Sequence, residues 1–148
     1  MNPRCLIGAC VFVLAATSAF AQEPAAAGRI KVASGDAFIL RADAVLPATV
    51  GQIVLGSDGL RTGADGRLGI TLKDDTRVSL GPSSEVRLES FLYEPDAGRL
   101  GLALRFVRGV TAYVSGRIAK LSPDSIRLET PAAIVGVRGT TLTIRVAE

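Results

Sequence analysis

The sequence predicts a single all-β domain of many short antiparallel strands, and three observations support that class. From Arg29 onward, apolar and polar residues alternate with period two. Turn signals separate the alternating segments at roughly eight- to ten-residue spacing. Nothing after residue 21 shows the period of a sustained amphipathic helix. The expected architecture is a roll or solenoid-like fold, or a two-sheet sandwich.

The elements follow in order. Gln22 to Gly28 reads as a small flexible leader, so the domain is expected over 29–148. A short helical turn is allowed at Ala42–Ala48. Leu68, Ile70 and Leu72 then alternate with Arg67, Gly69, Thr71 and Lys73. Val78 and Leu80 follow, then Val86 and Leu88, then the longer series Leu100, Leu102, Leu104 and Phe106. Ile126 and Leu128 face away from Arg127 and Glu129, and Leu142, Ile144 and Val146 close the chain. Each segment buries one face and wets the other, as half-buried antiparallel strands do. Ser57-Asp58-Gly59, Gly63-Ala64-Asp65-Gly66, Asp74-Asp75, Gly81-Pro82-Ser83-Ser84, Glu94-Pro95-Asp96-Ala97-Gly98 and Ser122-Pro123-Asp124 supply the turns between them.

Ahead of the domain, residues 1–21 read as a secretory signal peptide. Arg4 is the positive end, Cys5 to Ala16 the apolar run, and Ala19-Phe20-Ala21 the cleavage site, with Gln22 as the new N-terminus. The run is short for a membrane span, which needs about 20 residues. A retained anchor, or lipid attachment at Cys10, are the alternatives. Both cysteines lie in this segment, so the mature chain is expected to have no disulfide. At roughly 127 residues it can bury enough surface without one. Periplasmic or secreted placement is expected, with no stable membrane span after cleavage.

The chemical inventory is thin. There is no histidine and no mature cysteine, which removes Ser-His, Cys-His and most zinc chemistry. No Ser-x-x-Lys spacing occurs around Lys31, Lys73 or Lys120. Asp74-Asp75 is expected at a solvated hairpin tip, outside the kind of pocket that general acid work needs. Asp58, Asp65, Asp96 and Asp124 also fall in turns, without the ordering of a calcium loop. No catalytic residue, metal or cofactor is therefore expected. The basic residues are spread singly, without the aromatic interleaving of a nucleic-acid binder. Tyr93, Phe91, Phe106 and Tyr113 are few, scattered and expected in the core or at its rim.

One stretch stands out, from Leu128 to Leu142. Thr130-Pro131 opens a run of small and β-branched residues, interrupted by Gly136 and Gly139 with Arg138 between them and Thr140 just after. The glycines suggest close backbone approach or a bulge. The guanidinium of Arg138 is expected to tie the last strands together through carbonyls or a carboxylate such as Glu129. The alternative is a surface arginine that engages a partner. On the first reading, Arg138→Ala removes about 1–3 kcal/mol of stability.

Read together, Leu60-Arg61-Thr62-Gly63, Asp74-Asp75-Thr76-Arg77-Val78-Ser79-Leu80-Gly81-Pro82-Ser83-Ser84 and Thr130-Pro131 through Gly136-Val137-Arg138-Gly139-Thr140 resemble the FecR domain family, over about 51–144. Ser57 splits that family's usual Gly-Asp pair, and Asp75 replaces a turn glycine. The resemblance implies a periplasmic β-domain. The family's namesake type also carries a cytoplasmic anti-sigma segment and a further signalling module, and neither is visible here. The expected function is a non-catalytic regulatory or adaptor module that binds another envelope protein, with the short sheet edges near the two termini as contacts. A small-molecule or envelope-polysaccharide binder, or a self-associating envelope component, are the alternatives.

Overall fold

The computed structural model describes residues 25–138 and 141–147. The signal segment, its cleavage between Ala21 and Gln22, Gly139 and Thr140 lie outside the described residues. Twelve strands are present among the described residues: β1 Ala26–Ser34, β2 Ala37–Arg41, β3 Ala44–Pro47, β4 Ile53–Leu55, β5 Gly59–Thr62, β6 Arg67–Leu72, β7 Arg77–Leu80, β8 Glu85–Glu94, β9 Arg99–Val114, β10 Ile126–Glu129, β11 Ile134–Val135 and β12 Thr141–Val146. They form one curled sheet, antiparallel throughout except where β10 runs parallel to β9. The all-β class is therefore the one observed.

The long strand β9 organises the sheet. Its first half, Arg99–Arg108, pairs with β8 on one side, and Leu102–Arg105 pairs with β10 on the other. Its second half pairs with β7 and β12. One wing thus runs β3-β2-β5-β8-β9-β10-β11, and the other β4-β1-β6-β7-β9-β12. The wings meet at Gly109, where φ is 81°. A Cβ there would lie 2.2 Å from Ser84 Oγ. That hydroxyl accepts from Val110 N at 3.0 Å and reaches the Val110 carbonyl at 3.1 Å. Glycine meets both demands, positive φ and close approach. β7 and β8 lie end to end along β9, and the Gly81–Ser84 turn carries the chain from one wing to the other.

The period-two alternation places Ile30, Ile39, Leu60, Leu68, Leu72, Leu104, Phe106 and Leu128 inside, in one core shared by both wings. Tyr113 and Phe106 are its largest members, while Phe91 and Tyr93 pack at its rim, 6.5 Å apart.

Two expectations are corrected, and one short element is added. The helical turn at Ala42–Ala48 is instead strand β3. The two-residue turn Ala42-Asp43, with Ala42 at φ 52°, folds β3 back on β2. β1 starts at Ala26, inside the supposed leader, because Ala27 is fully buried and its carbonyl accepts from Lys73 N at 2.8 Å. A short helix, α1 Arg117–Leu121, follows β9 and buries Ile118 and Ala119. Five residues are too few to show a helical period.

Candidate functional site

The Leu128–Leu142 stretch joins the outermost strands of the two wings. β10 and β11 form a hairpin, with Leu128 opposite Val135 and Glu129 opposite Ile134. Thr130 closes its turn. The Thr130 amide donates to the Ala133 carbonyl at 2.8 Å, and its hydroxyl oxygen accepts from Ala133 N at 3.1 Å. Pro131 suits the turn position that follows Thr130. The chain then leaves β11 through Gly136, buries Val137 in the core, exposes Arg138 and reaches β12 on the other wing. Val137 is the peg that holds this crossing down.

The apolar character of the run is only partly explained by burial. Pro131, Ala132, Ala133 and Gly136 are exposed, and Ile134 is 64% exposed. β11 pairs with β10 alone, so its outer edge meets no other described strand. Likewise β12 closes the second wing. β1 lies inside its wing between β4 and β6, so the expectation of an edge near the N-terminus moves to β4.

The expected roles of Gly136 and Arg138 change as well. A side chain at Gly136 would meet nothing within 4 Å among the described residues, so close backbone approach does not account for it. Arg138 is exposed. The carboxylate it was expected to reach, Glu129, pairs with Arg105 at 3.3 Å and with its strand neighbour Arg127. These ion pairs sit above a hollow of about 300 Å³ lined by Arg105, Phe106, Val107, Glu129, Thr130 and Pro131.

Two aspartates expected in solvated turns are fully buried. Asp58 takes a two-pronged contact from Arg41, at 3.0 and 2.8 Å, and accepts from Leu55 N at 2.8 Å. The hydrogen bond to Asp58 raises the Arg41 pKa above its ordinary value. Asp74 accepts from Thr76 N at 3.1 Å, Thr76 Oγ1 at 2.7 Å and Ile118 N at 3.3 Å. Its carbonyl accepts from Arg117 N at 2.7 Å. Asp74 thus fastens the β6–β7 turn to α1, 44 residues away. At Gly116 a Cβ would lie 2.4 Å from the Asp74 carbonyl oxygen, so the clamp needs a glycine. Asp75, at φ 70°, remains exposed and pairs with Arg117 at 3.2 Å. Nothing in the local pattern separates a buried turn aspartate from a solvated one. The distant backbone amide that Asp74 satisfies is a tertiary fact.

Among the described residues, no group of three His, Cys, Asp or Glu side chains could hold a metal. No described helix is long and apolar enough to cross a membrane.

The family model described as FecR protein matches residues 58–148. The chain belongs to the FecR family. The match takes in the Asp58 and Asp74 clamps, the Gly109 bend and the whole β10–β12 region. FecR is a regulatory, non-enzymatic family whose domains are typically envelope-associated and generally interact with other proteins. No curated protein and no solved structure matches the chain.

Proposed function

We propose that this chain is an exported FecR domain that regulates or adapts by binding another envelope protein, and that the β10–β11 hairpin makes the contact. The observation that supports this reading is Ile134, a large apolar residue left 64% exposed on a strand with an open edge. A partner strand added to that edge would gain main-chain hydrogen bonds, while Ile134 supplies an apolar anchor. Arg138, exposed on the crossing segment, would engage a partner carboxylate or carbonyl through its planar fork. The hollow beside the hairpin, at about 300 Å³, lies at the small end of ligand sites, which favours a protein contact over a small-molecule binder.

The test is capture of the tagged full chain from cross-linked envelope, read by mass spectrometry, beside the variant Ile134→Asp. One stoichiometric protein is expected with the native chain and none with the variant, at an unchanged melting temperature. Equal recovery by both chains would refute the hairpin as the contact. Recovery of the chain's own second copy, or of glycan alone, would move the reading to self-association or polysaccharide binding.

A further inference from the structure

The charges of the two wings are arranged differently. On the wing containing β8 and β10, every strand arginine except Arg61, which lies over the Phe38 ring, is matched by an acid: Arg41 with Asp58, Arg87 and Arg108 with Glu85, Arg99 with Glu94, Arg105 with Glu89 and Glu129, Arg127 with Glu129. The strands of the other wing carry Arg29, Lys31, Arg67, Arg77 and Arg145, all exposed, and no aspartate or glutamate at all. None of these five forms an ion pair with a described residue. Arg29 alone is engaged, donating to the Gly51 carbonyl at 3.2 Å.

Strand register shows where these charges lie. Val32 stands opposite Gly69, Gly69 opposite Ser79, Ser79 opposite Ala112, and Ala112 opposite Thr143. Opposed residues share a face, so this is a row of small residues across five strands, about 19 Å long at the usual strand spacing. Two residues to one side lie Arg67, Val110 and Arg145, and two to the other lie Thr71, Arg77 and Val114. The two rims are therefore about 14 Å apart. Between them run connected hollows of about 700 and 390 Å³ that share Val32, Gly69 and Ser79; the larger is also lined by Asp75, whose charge is offset by its ion pair with Arg117. Val32 is 54% exposed in their floor.

We infer that this outer face docks an acidic protein surface, one with a small apolar centre ringed by carboxylates. The inference rests on the reading that the domain works by binding protein, and it adds a second contact remote from the β10–β11 hairpin. Charge complementarity selects the partner's sign. Val32 is the one large apolar side chain well exposed along this row, too little apolar surface to anchor in a lipid interface, which selects protein over membrane. The floor lacks aromatic platforms and amide side chains, which argues against a glycan. A face of about 19 by 14 Å is well below the roughly 800 Å² per partner of a standard interface, so the contact is weak, transient and salt-sensitive.

The experiment places a photo-cross-linking amino acid at Ser79, at Ile134, or at Ser90 on the opposite wing as control. The full chain is expressed in the organism that encodes it, and cross-linked peptides are sequenced. Ser79 is expected to capture one protein through a peptide rich in Asp and Glu around apolar residues, well above the Ser90 yield. The combined variant Lys31→Glu, Arg67→Glu, Arg77→Glu and Arg145→Glu is expected to cut that yield at least about tenfold. Its melting temperature should remain within a few degrees of native, since all four side chains are exposed. Capture at Ile134 with none at Ser79 would overturn this inference and leave the hairpin reading standing, whereas capture at neither position would sink both. An adduct of Ser79 with lipid, glycan or a second copy would also overturn it, as would a yield unmoved by charge reversal.

Discussion

Replacing Asp74 by alanine tests the clamp between the β6–β7 turn and α1. The substitution strips three buried donors of their acceptor: the Thr76 amide, the Thr76 hydroxyl and the Ile118 amide. Thr76 and Ile118 are fully buried, so water cannot replace the carboxylate. An orphaned buried donor costs about 1–3 kcal/mol. The Thr76 hydroxyl can rotate towards another acceptor, and the Ile118 bond is long at 3.3 Å, so both sit at the low end. Removing a buried charge also recovers part of its desolvation penalty. The expected net loss is about 3 kcal/mol, or roughly 12 °C in melting temperature for a domain of this size. Asp74→Asn keeps one acceptor oxygen and should lose about half as much. The chain has no tryptophan, so urea unfolding is best followed by circular dichroism. A lower midpoint at unchanged m-value is the expected signature. A loss below about 1 kcal/mol in the alanine variant would show that the clamp does not hold α1 in place.

Gly109→Ala forces a side chain into positive φ and into Ser84 Oγ, and should lower stability by about 3 kcal/mol or more, read by the same urea titration; a neutral result would move the bend of β9 elsewhere. Burial raises the pKa of the Tyr113 phenol above its ordinary 10.0. The unfolded chain therefore ionises first as pH rises, so this stability is full below about pH 10 and is lost above it. Tyr113→Phe should flatten the fall in urea midpoint between pH 8 and pH 11, and an equally steep fall in the variant would assign the alkaline loss to other groups. For Arg138→Ala, exposure replaces the expected 1–3 kcal/mol with a change within about 0.5 kcal/mol in the urea midpoint. A larger loss would restore a structural role for that arginine.

What the sequence determined by itself is the all-β class, the strands β6 to β10 and β12, and the family. Alternation such as Leu68-Gly69-Ile70-Thr71-Leu72 reports burial on one face directly, because successive side chains of a strand point to opposite sides. The Leu128–Leu142 motif was legible as a special segment, and the family match confirms the membership its residues suggested. Only the tertiary structure decided what that segment does: it crosses from the edge of one wing to the edge of the other, with Val137 buried and Ile134 and Arg138 outside. Burial of Asp58 and Asp74 was hidden for a related reason, since their partners, Arg41 and the Ile118 amide, are remote in sequence. The basic face was hidden most completely. Lys31, Arg67, Arg77 and Arg145 are scattered along more than a hundred residues and become neighbours only through the register of β1, β6, β7, β9 and β12. Periodicity along a chain shows which way each side chain points, and strand pairing between distant segments decides which side chains stand together.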